Sequence, residues 1–369
     1  MSLALYLHIP FCVRKCPYCD FYSLVDARAD QTRYATALLR ELAYYRALLP
    51  EREIHSIHMG GGTPSILQGE VIVALLEGVR RSWRLSGACE ITLEANPESF
   101  SLSKLALWKQ AGVNRLSIGV QALDDDRLQR LQRPHDVALA WKVLEAALVS
   151  MDRVSVDLIY GTPGHRLAEW RRELEAVVAT GIGHVSCYGL TLEPGTAFHR
   201  RGLTLPGEEE SVELFRWTRS FLAERGLSPY EISNFARPGQ ESRHNLTYWE
   251  YGDYLGIGAA AHGKWTLEDG TLWRSENPRD LRRYLTVGGL RRDLGREEAG
   301  RECLMMGLRL TQGLSRRRYQ AITGRDLVDD QAETVGRLQA FHLLQVDSER
   351  VSLTEEGVPL ADAITRELF

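Results

Sequence analysis

Six short apolar or β-branched runs, each followed by a longer segment of helical periodicity, constrain the fold of this chain more than any other feature. The runs lie at 3–8, 54–58, 89–94, 114–118, 153–159 and 184–190, with a seventh expected at 229–232. Helices are predicted near 34–49, 69–85, 101–111, 124–131, 135–150, 167–180 and 209–225. In the first of these, Tyr34, Leu38, Leu42, Tyr45 and Leu49 recur at helical spacing and Pro50 stops the pattern. Strict alternation of strand and helix implies an α/β protein whose parallel strands are joined by right-handed crossovers, in an open sheet or a barrel.

The residues that follow the strands favour the barrel. In order they are Phe11-Cys12, Gly60-Gly61-Gly62-Thr63-Pro64, Glu94-Ala95-Asn96-Pro97, Gly119-Val120-Gln121, and Asp157 leading into Tyr160-Gly161-Thr162-Pro163-Gly164. Gly, Pro and Asn belong in ordinary turns as well. Five such elements in register, however, mark the carboxyl rim where whole or partial (β/α) barrels build their sites.

Past residue 235 the texture changes. A loop at Arg237-Pro238-Gly239-Gln240 leads to the run His244-Asn245-Leu246-Thr247-Tyr248-Trp249 and then to spaced glycines at 252, 256, 258 and 263. From 291 a small α+β unit is expected, with helices through Cys303–Met306, at 315–322 and at 329–340. A hairpin around Ser348-Glu349 completes a winged-helix-like pattern. The expected division is 1–235 for the barrel, 236–290 for a connecting segment and 291–369 for the C-terminal unit. A wing invites a DNA-binding reading, but that unit carries 12 Arg and no Lys against 14 acidic residues. The whole chain, at 45 basic against 49 acidic residues, has a formal charge of -4. Neither balance attracts nucleic acid or an anionic membrane. No apolar run approaches the roughly 18 residues of a transmembrane helix, and no signal peptide opens the chain, so a cytoplasmic protein with reduced thiols is expected.

Six cysteines occupy positions 12, 16, 19, 89, 187 and 303. The first three form C-x3-C-x2-C, without the second C-x2-C pair usual in structural zinc sites. Three local thiolates suit a [4Fe-4S] cluster with one iron left open; zinc borrowing His8 or a distant ligand is the rival. Arg14 and Lys15 are expected to lower the neighbouring thiol pKa values. Cys89, Cys187 and Cys303 stand in apolar settings and are expected to be packing residues.

Tyr6-Leu7-His8-Ile9-Pro10-Phe11-Cys12, the cysteine triplet and Gly60-Gly61-Gly62-Thr63-Pro64-Ser65 together resemble the radical S-adenosylmethionine (SAM) superfamily. More narrowly, the chain is similar over nearly its whole length to the branch holding HemN-type anaerobic coproporphyrinogen III dehydrogenases and HemW-type haem chaperones. The resemblance implies a partial (β/α)6 barrel with a HemN-like C-terminal domain. It implies a cluster on Cys12, Cys16 and Cys19 whose open iron is chelated by SAM, with reductive cleavage to a deoxyadenosyl radical. Tyr6, Gly60, Gly61, Gly62, Thr63 and Glu94 match SAM-binding positions. Gln121, Arg133 and Asp157 match residues that contact a second SAM in the dehydrogenase. For Glu94 and Asp157 a helix cap or turn remains the other reading, and for Arg133 a surface arginine.

The resemblance also separates two functions. The dehydrogenase carries a fourth cysteine two positions past the triplet, where this chain has Phe21, and a longer segment ahead of the cluster loop. His244-Asn245-Leu246-Thr247-Tyr248-Trp249 matches the H-N-x-x-Y-W signature of the chaperones. It offers an imidazole for haem iron and two aromatic rings for a porphyrin face; His262 and Met305-Met306 are further candidates. The leading expectation is a haem chaperone that binds cluster, SAM and haem and passes haem to an acceptor protein. The alternative is oxidative decarboxylation of coproporphyrinogen III.

Overall fold

A computed structural model describes residues 2–26 and 30–369. The alternation read from sequence becomes β1 (Ser2–Ile9), α1 (Gln31–Leu48), β2 (Glu53–Gly61), α2 (Gly69–Ser82), β3 (Arg84–Ala95), α3 (Leu102–Gln110) and β4 (Arg115–Gln121). It continues through α4 (Asp125–Arg130), α5 (Val137–Ser150), β5 (Val154–Tyr160), α6 (Leu167–Ala179), β6 (His184–Gly189) and α7 (Glu208–Ala223). Strands β1 to β6 are neighbours in chain order and pair parallel. Buried Tyr34, Leu38, Leu42 and Tyr45 of α1 carry the periodicity that predicted it, and the Asp30 side chain caps its start. The apolar residues of the strands, among them Ile57, Leu93, Ile118 and Val156, share one core with the covering helices.

The sequence differs from the structure in two places. The strand expected at 229–232 is broken into β7 (Ser228–Pro229) and β8 (Asn234–Ala236), which pair with each other antiparallel. Glu231, between them, instead bridges to Leu310 of the C-terminal unit. The second difference lies past α8 (Arg243–Trp249), where no strands were read. There β9 (Tyr254–Ile257) pairs parallel to β1, and β10 (His262–Thr266), β11 (Leu272–Glu276) and β12 (Leu290–Asp293) extend the same sheet antiparallel. The result is an open twelve-stranded sheet whose parallel portion forms the partial barrel. β9 and β10 escaped notice because Gly256 and Gly263 interrupt their apolar pattern, and β11 and β12 because they are short and largely polar. Both glycines sit where backbone crowds backbone, and a Cβ at Gly263 would meet Ser275 Oγ at 2.6 Å.

The C-terminal unit has its own core. Helices α9 (Arg296–Gly307), α10 (Arg316–Thr323) and α11 (Ala332–Ala340) precede the hairpin of β13 (Leu344–Val346) and β14 (Arg350–Leu353). Of the three consecutive arginines there, Arg317 and Arg318 are exposed, while Arg316 is half-buried and forks onto Asp326 with both bonds at 3.1 Å. No described helix is long and apolar enough to cross a membrane.

Candidate functional site

The cysteine loop leaves β1 at Pro10 and crosses the carboxyl rim of the sheet. Phe11-Cys12 pairs with Leu24-Val25 to anchor it, and Phe198 N–H donates to Pro17 O at 2.9 Å. Cys12, Cys16 and Cys19 line one cavity of about 460 Å³, and no other cysteine does. Among the described residues no three His, Cys, Asp or Glu side chains converge on a single-ion site. A [4Fe-4S] cube spreads three thiolates over different irons, and three thiols on the wall of one cavity are compatible with it. Burial pushes Cys12 up and Cys19 up to about 11, which outweighs the expected downward pull of Lys15 on the Cys19 thiol. Buried neutral thiols of this kind give up their protons when a metal binds.

The glycines at the end of β2 are required by packing. Gly61 has φ +110°, and a Cβ there would lie 2.5 Å from the His8 ring. A Cβ on Gly60 would meet Glu94 Oε1 at 2.8 Å. Gly62 sits against Phe11 O and the Cys12 sulfur, and its N–H donates to Ile9 O at 2.8 Å. Thr63 then donates through its N–H to Phe11 O and through its hydroxyl to Cys12 Sγ at 3.5 Å. The β2 turn therefore holds the cluster loop in place.

The same cavity is lined by Glu94, Gln121, Arg133 and Asp157. Neither carboxylate caps a helix: Glu94 accepts from His58 Nε2 at 2.8 Å, and Asp157 accepts from Ser117 Oγ through both oxygens at 3.1 and 3.0 Å. Arg133 is not a surface arginine, because its guanidinium donates to Cys16 Sγ at 3.4 Å and Gly119 O at 3.0 Å. Gln121 holds φ +70° at a bulge in β4, a left-handed conformation that non-glycine residues adopt mainly where function or packing demands it.

Below this cavity lies a second polar chamber of about 210 Å³, sharing Glu94, Ser117, Asp157 and Tyr188 with the first. Tyr6 and His244 line this inner chamber. Tyr6 hydroxyl bonds His8 Nδ1 at 3.1 Å, and its ring stacks on His58. His244 is 1% exposed. Its Nδ1 bonds Ser56 Oγ at 3.0 Å, its Nε2 bonds Tyr248 hydroxyl at 2.8 Å, and its ring stacks on His58 with centroids 5.0 Å apart. The H-N-x-x-Y-W run thus forms α8 and plugs the barrel interior. Glu90 holds that helix by accepting from the backbone N–H groups of Arg243 and His244, as a carboxylate at a helix N-terminus does. Burial first, then the neighbouring histidines His58 and His55 and Arg115, push the His244 pKa well down, so the ring is neutral. Of the other haem-ligand candidates, His262 and Met305 are exposed and Met306 packs on the C-terminal core.

Sequence reading missed His58, Glu90, Arg115, Ser117, His135 and His184. Their signal was present as period-two polar positions within the strands: Ser56 and His58, Glu90, Thr92 and Glu94, Arg115 and Ser117, Ser155 and Asp157, His184 and Ser186. Alternation puts each set on one face, opposite the helix-covered face. His135 also bonds Glu98 and Val120 O, bracing the loop that carries Arg133.

Asp157 gives the chamber a measurable titration. Burial, and then Glu94, raise its carboxyl from 3.8 to about 6 against the opposing hydroxyls of Ser186 and Ser117. A raised folded pKa favours the protonated form. The contribution is therefore complete below about pH 4 and is lost as pH rises through about 6, amounting to at most about 3 kcal/mol because the carboxylate faces a cavity. In protein prepared without cluster, Asp157→Asn and wild type should have similar urea midpoints near pH 4. The variant should pull ahead above pH 6; parallel curves would show that Asp157 does not titrate there.

A three-cysteine loop at the carboxyl rim of a partial parallel barrel defines a radical SAM protein, and residues 6–177 match the Radical SAM superfamily. Residues 294–360 match the HemN C-terminal domain. The Escherichia coli (strain K12) protein named Heme chaperone HemW is 37% identical over 87% of this chain and 86% of its own length. The Bos taurus mitochondrial protein named Radical S-adenosyl methionine domain-containing protein 1 is 36% identical over 99% of this chain and 87% of its own. The chain belongs to the HemW family of radical SAM proteins. Its fold is also that of coproporphyrinogen III oxidase (HemN) from Escherichia coli, with a TM-score of 0.83 and 24% identity over 100% of this chain and 90% of that one. Membership of the superfamily implies a [4Fe-4S] cluster and SAM.

Proposed function

We propose that this protein is a cytoplasmic haem chaperone that binds a [4Fe-4S] cluster, SAM and haem and delivers haem to an acceptor protein. The observation that carries the cofactor assignment is the single cavity lined by all three loop thiols together with Gly61, Gly62, Thr63, Glu94, Gln121, Arg133 and Asp157. Cys12, Cys16 and Cys19 would hold the cluster, and the cluster would supply the electron and the open iron that activate SAM. Gly60 to Thr63 keep the loop rigid and leave backbone bare beside it. Glu94 and Asp157 offer carboxylates to hydroxyl or ammonium groups, and Gln121 and Arg133 offer donors to a carboxylate. Tyr6 bounds the floor through its hydrogen bond to His8. The haem assignment rests on the relatives named as haem chaperones. The coproporphyrinogen oxidation reading is less favoured, because those relatives are far closer in sequence than the oxidase.

For haem, the H-N-x-x-Y-W run is proposed to act through His244 Nε2. The chamber of about 210 Å³ is too small for a porphyrin, so His244 would reach haem iron only if α8 moved outward and its Nε2 gave up the Tyr248 hydroxyl. Haem titration of cluster-loaded protein, followed by its Soret absorbance, is expected to give saturable binding in wild type. His244→Ala should abolish the axial-ligand spectrum while iron content and SAM binding persist. Tyr248→Phe should bind haem severalfold more tightly, because the competing hydrogen bond is gone. An unchanged spectrum in His244→Ala, lost instead in His262→Ala, would move the ligand to the exposed histidine; no haem binding in wild type would sink the function itself.

A further inference from the structure

Glu94 stands in the wall between the cysteine-lined cavity and the inner chamber and lines both, whereas His58 lines the inner chamber alone. The two come from neighbouring strands. His58 of β2 is in register with Thr92 of β3, so Glu94 lies on the same face one diagonal step nearer the carboxyl rim. His58 Nε2 donates to Glu94 Oε1 at 2.8 Å, and this is the ring's one hydrogen bond among the described residues, since its Nδ1 is buried with no partner. Packing fixes the donor: the rings of Tyr6 and His244 stack on it with centroids 6.0 and 5.0 Å away, and the side chain is only 11% exposed. Glu94, at 38% exposed, makes no other hydrogen bond among the described residues, so its Oε2 is left for a ligand.

The glycine turn makes room for this pair. Gly60 does not line the cysteine-lined cavity, although Gly61, Gly62 and Thr63 do. A Cβ on Gly60 would meet Glu94 Oε1 at 2.8 Å, Glu94 Cδ at 3.0 Å and His58 Cδ2 at 3.1 Å, so a side chain there would displace the pair. Burying an imidazole nitrogen without a partner is unfavourable, and an apolar side chain would fill the same space without that cost. What the imidazole adds is a donor aimed at one carboxylate oxygen. An unanchored glutamate has several rotatable bonds to freeze when a ligand arrives, which weakens binding. A carboxylate already held through one oxygen has lost that freedom beforehand, and its other oxygen accepts a donor without rearrangement.

We infer that His58 is a positioning residue of the cofactor site: it holds Glu94 through Oε1 so that Oε2 meets a hydroxyl or ammonium donor of SAM. The inference rests on the SAM reading of the cysteine-lined cavity and is independent of the haem reading.

The test measures SAM affinity by isothermal titration calorimetry on the full chain with its cluster loaded, without reductant so that SAM stays intact. His58→Leu is expected to raise the dissociation constant about tenfold at unchanged iron content. His58→Gln, whose amide keeps a donor of similar reach, should recover most of the loss. In a Glu94→Ala background His58→Leu should cost nothing further, because the ring acts only through that carboxylate. Gly60→Ala, which forces the pair apart from the other side, should weaken binding in the same way and lose its effect in Glu94→Ala; it decides the matter if His58→Leu does not fold. Unchanged affinity in the variant that folds, or an equal loss with and without Glu94, would overturn the positioning role while leaving SAM binding intact. No SAM binding by the cluster-loaded wild type would overturn the cofactor reading and this role with it.

Discussion

Replacing any one of Cys12, Cys16 and Cys19 with alanine is expected to strip the protein of iron, from about four atoms per chain to fewer than one. The size of the effect follows from geometry. The cavity holds three thiols, and none can be replaced from nearby, because Cys89, Cys187 and Cys303 are buried at 9%, 3% and 0% exposure away from it. Two thiolates cannot retain a cube that already leaves one iron open. The fold should survive, since Cys16 and Cys19 are only half-buried and the loop is tied down by the Phe11-Cys12 and Leu24-Val25 pairing. Iron assay together with the visible charge-transfer absorbance of reconstituted protein checks this, with far-UV circular dichroism as the control. Full iron content in Cys16→Ala would refute the assignment. Because this structure separates the cluster loop from His244, haem titration of the same variants shows whether haem binding needs the cluster.

Gly62→Ala is expected to have the next largest effect, disabling the cluster loop while leaving all three cysteines in place. The added Cβ would sit 2.7 Å from Phe11 O, 2.9 Å from Ile9 O and 3.0 Å from Cys12 Sγ. Backbone oxygens cannot rotate away as a side chain can, so the β2 turn and the cysteine loop must part. That breaks the 2.8 Å bonds from Gly62 N–H to Ile9 O and from Thr63 N–H to Phe11 O. Overpacking of this kind costs about 1–3 kcal/mol, and the strain falls on the loop that carries the cluster. The expected outcome is a modest drop in melting temperature with severe loss of reconstituted cluster and of SAM affinity. A variant that binds both normally would show that the turn gives way without moving the loop.

Much of this architecture is legible in the residues. The first six strands and the helices between them follow the periodicity of Tyr34 to Leu49 and its successors, because a buried helix stripe and a buried strand leave distinct spacings. The cysteine triplet is equally plain, since its ligands are local. The barrel lumen is harder. Ser56, Glu90, Arg115 and His184 look like ordinary polar residues in strands, and only their contacts with α8 and the inner chamber show that they face inward. His244 shows the limit most clearly: its neighbours in sequence suggest a ligand on display, whereas its bonds run to Ser56, 188 residues away, and to Tyr248 one turn on.

The sequence alone determined the alternating α/β order, the three-thiol loop and the glycine turn that faces it, because each depends on residues close together in the chain. Tertiary structure decided the rest. It turned the segment after residue 250 into four more strands, raised the Cys12, Cys19 and Asp157 pKa values by burial, and put the H-N-x-x-Y-W histidine inside the barrel. Those outcomes depend on which distant surfaces exclude water from one another, and desolvation is a property of the packed molecule that no local spacing records.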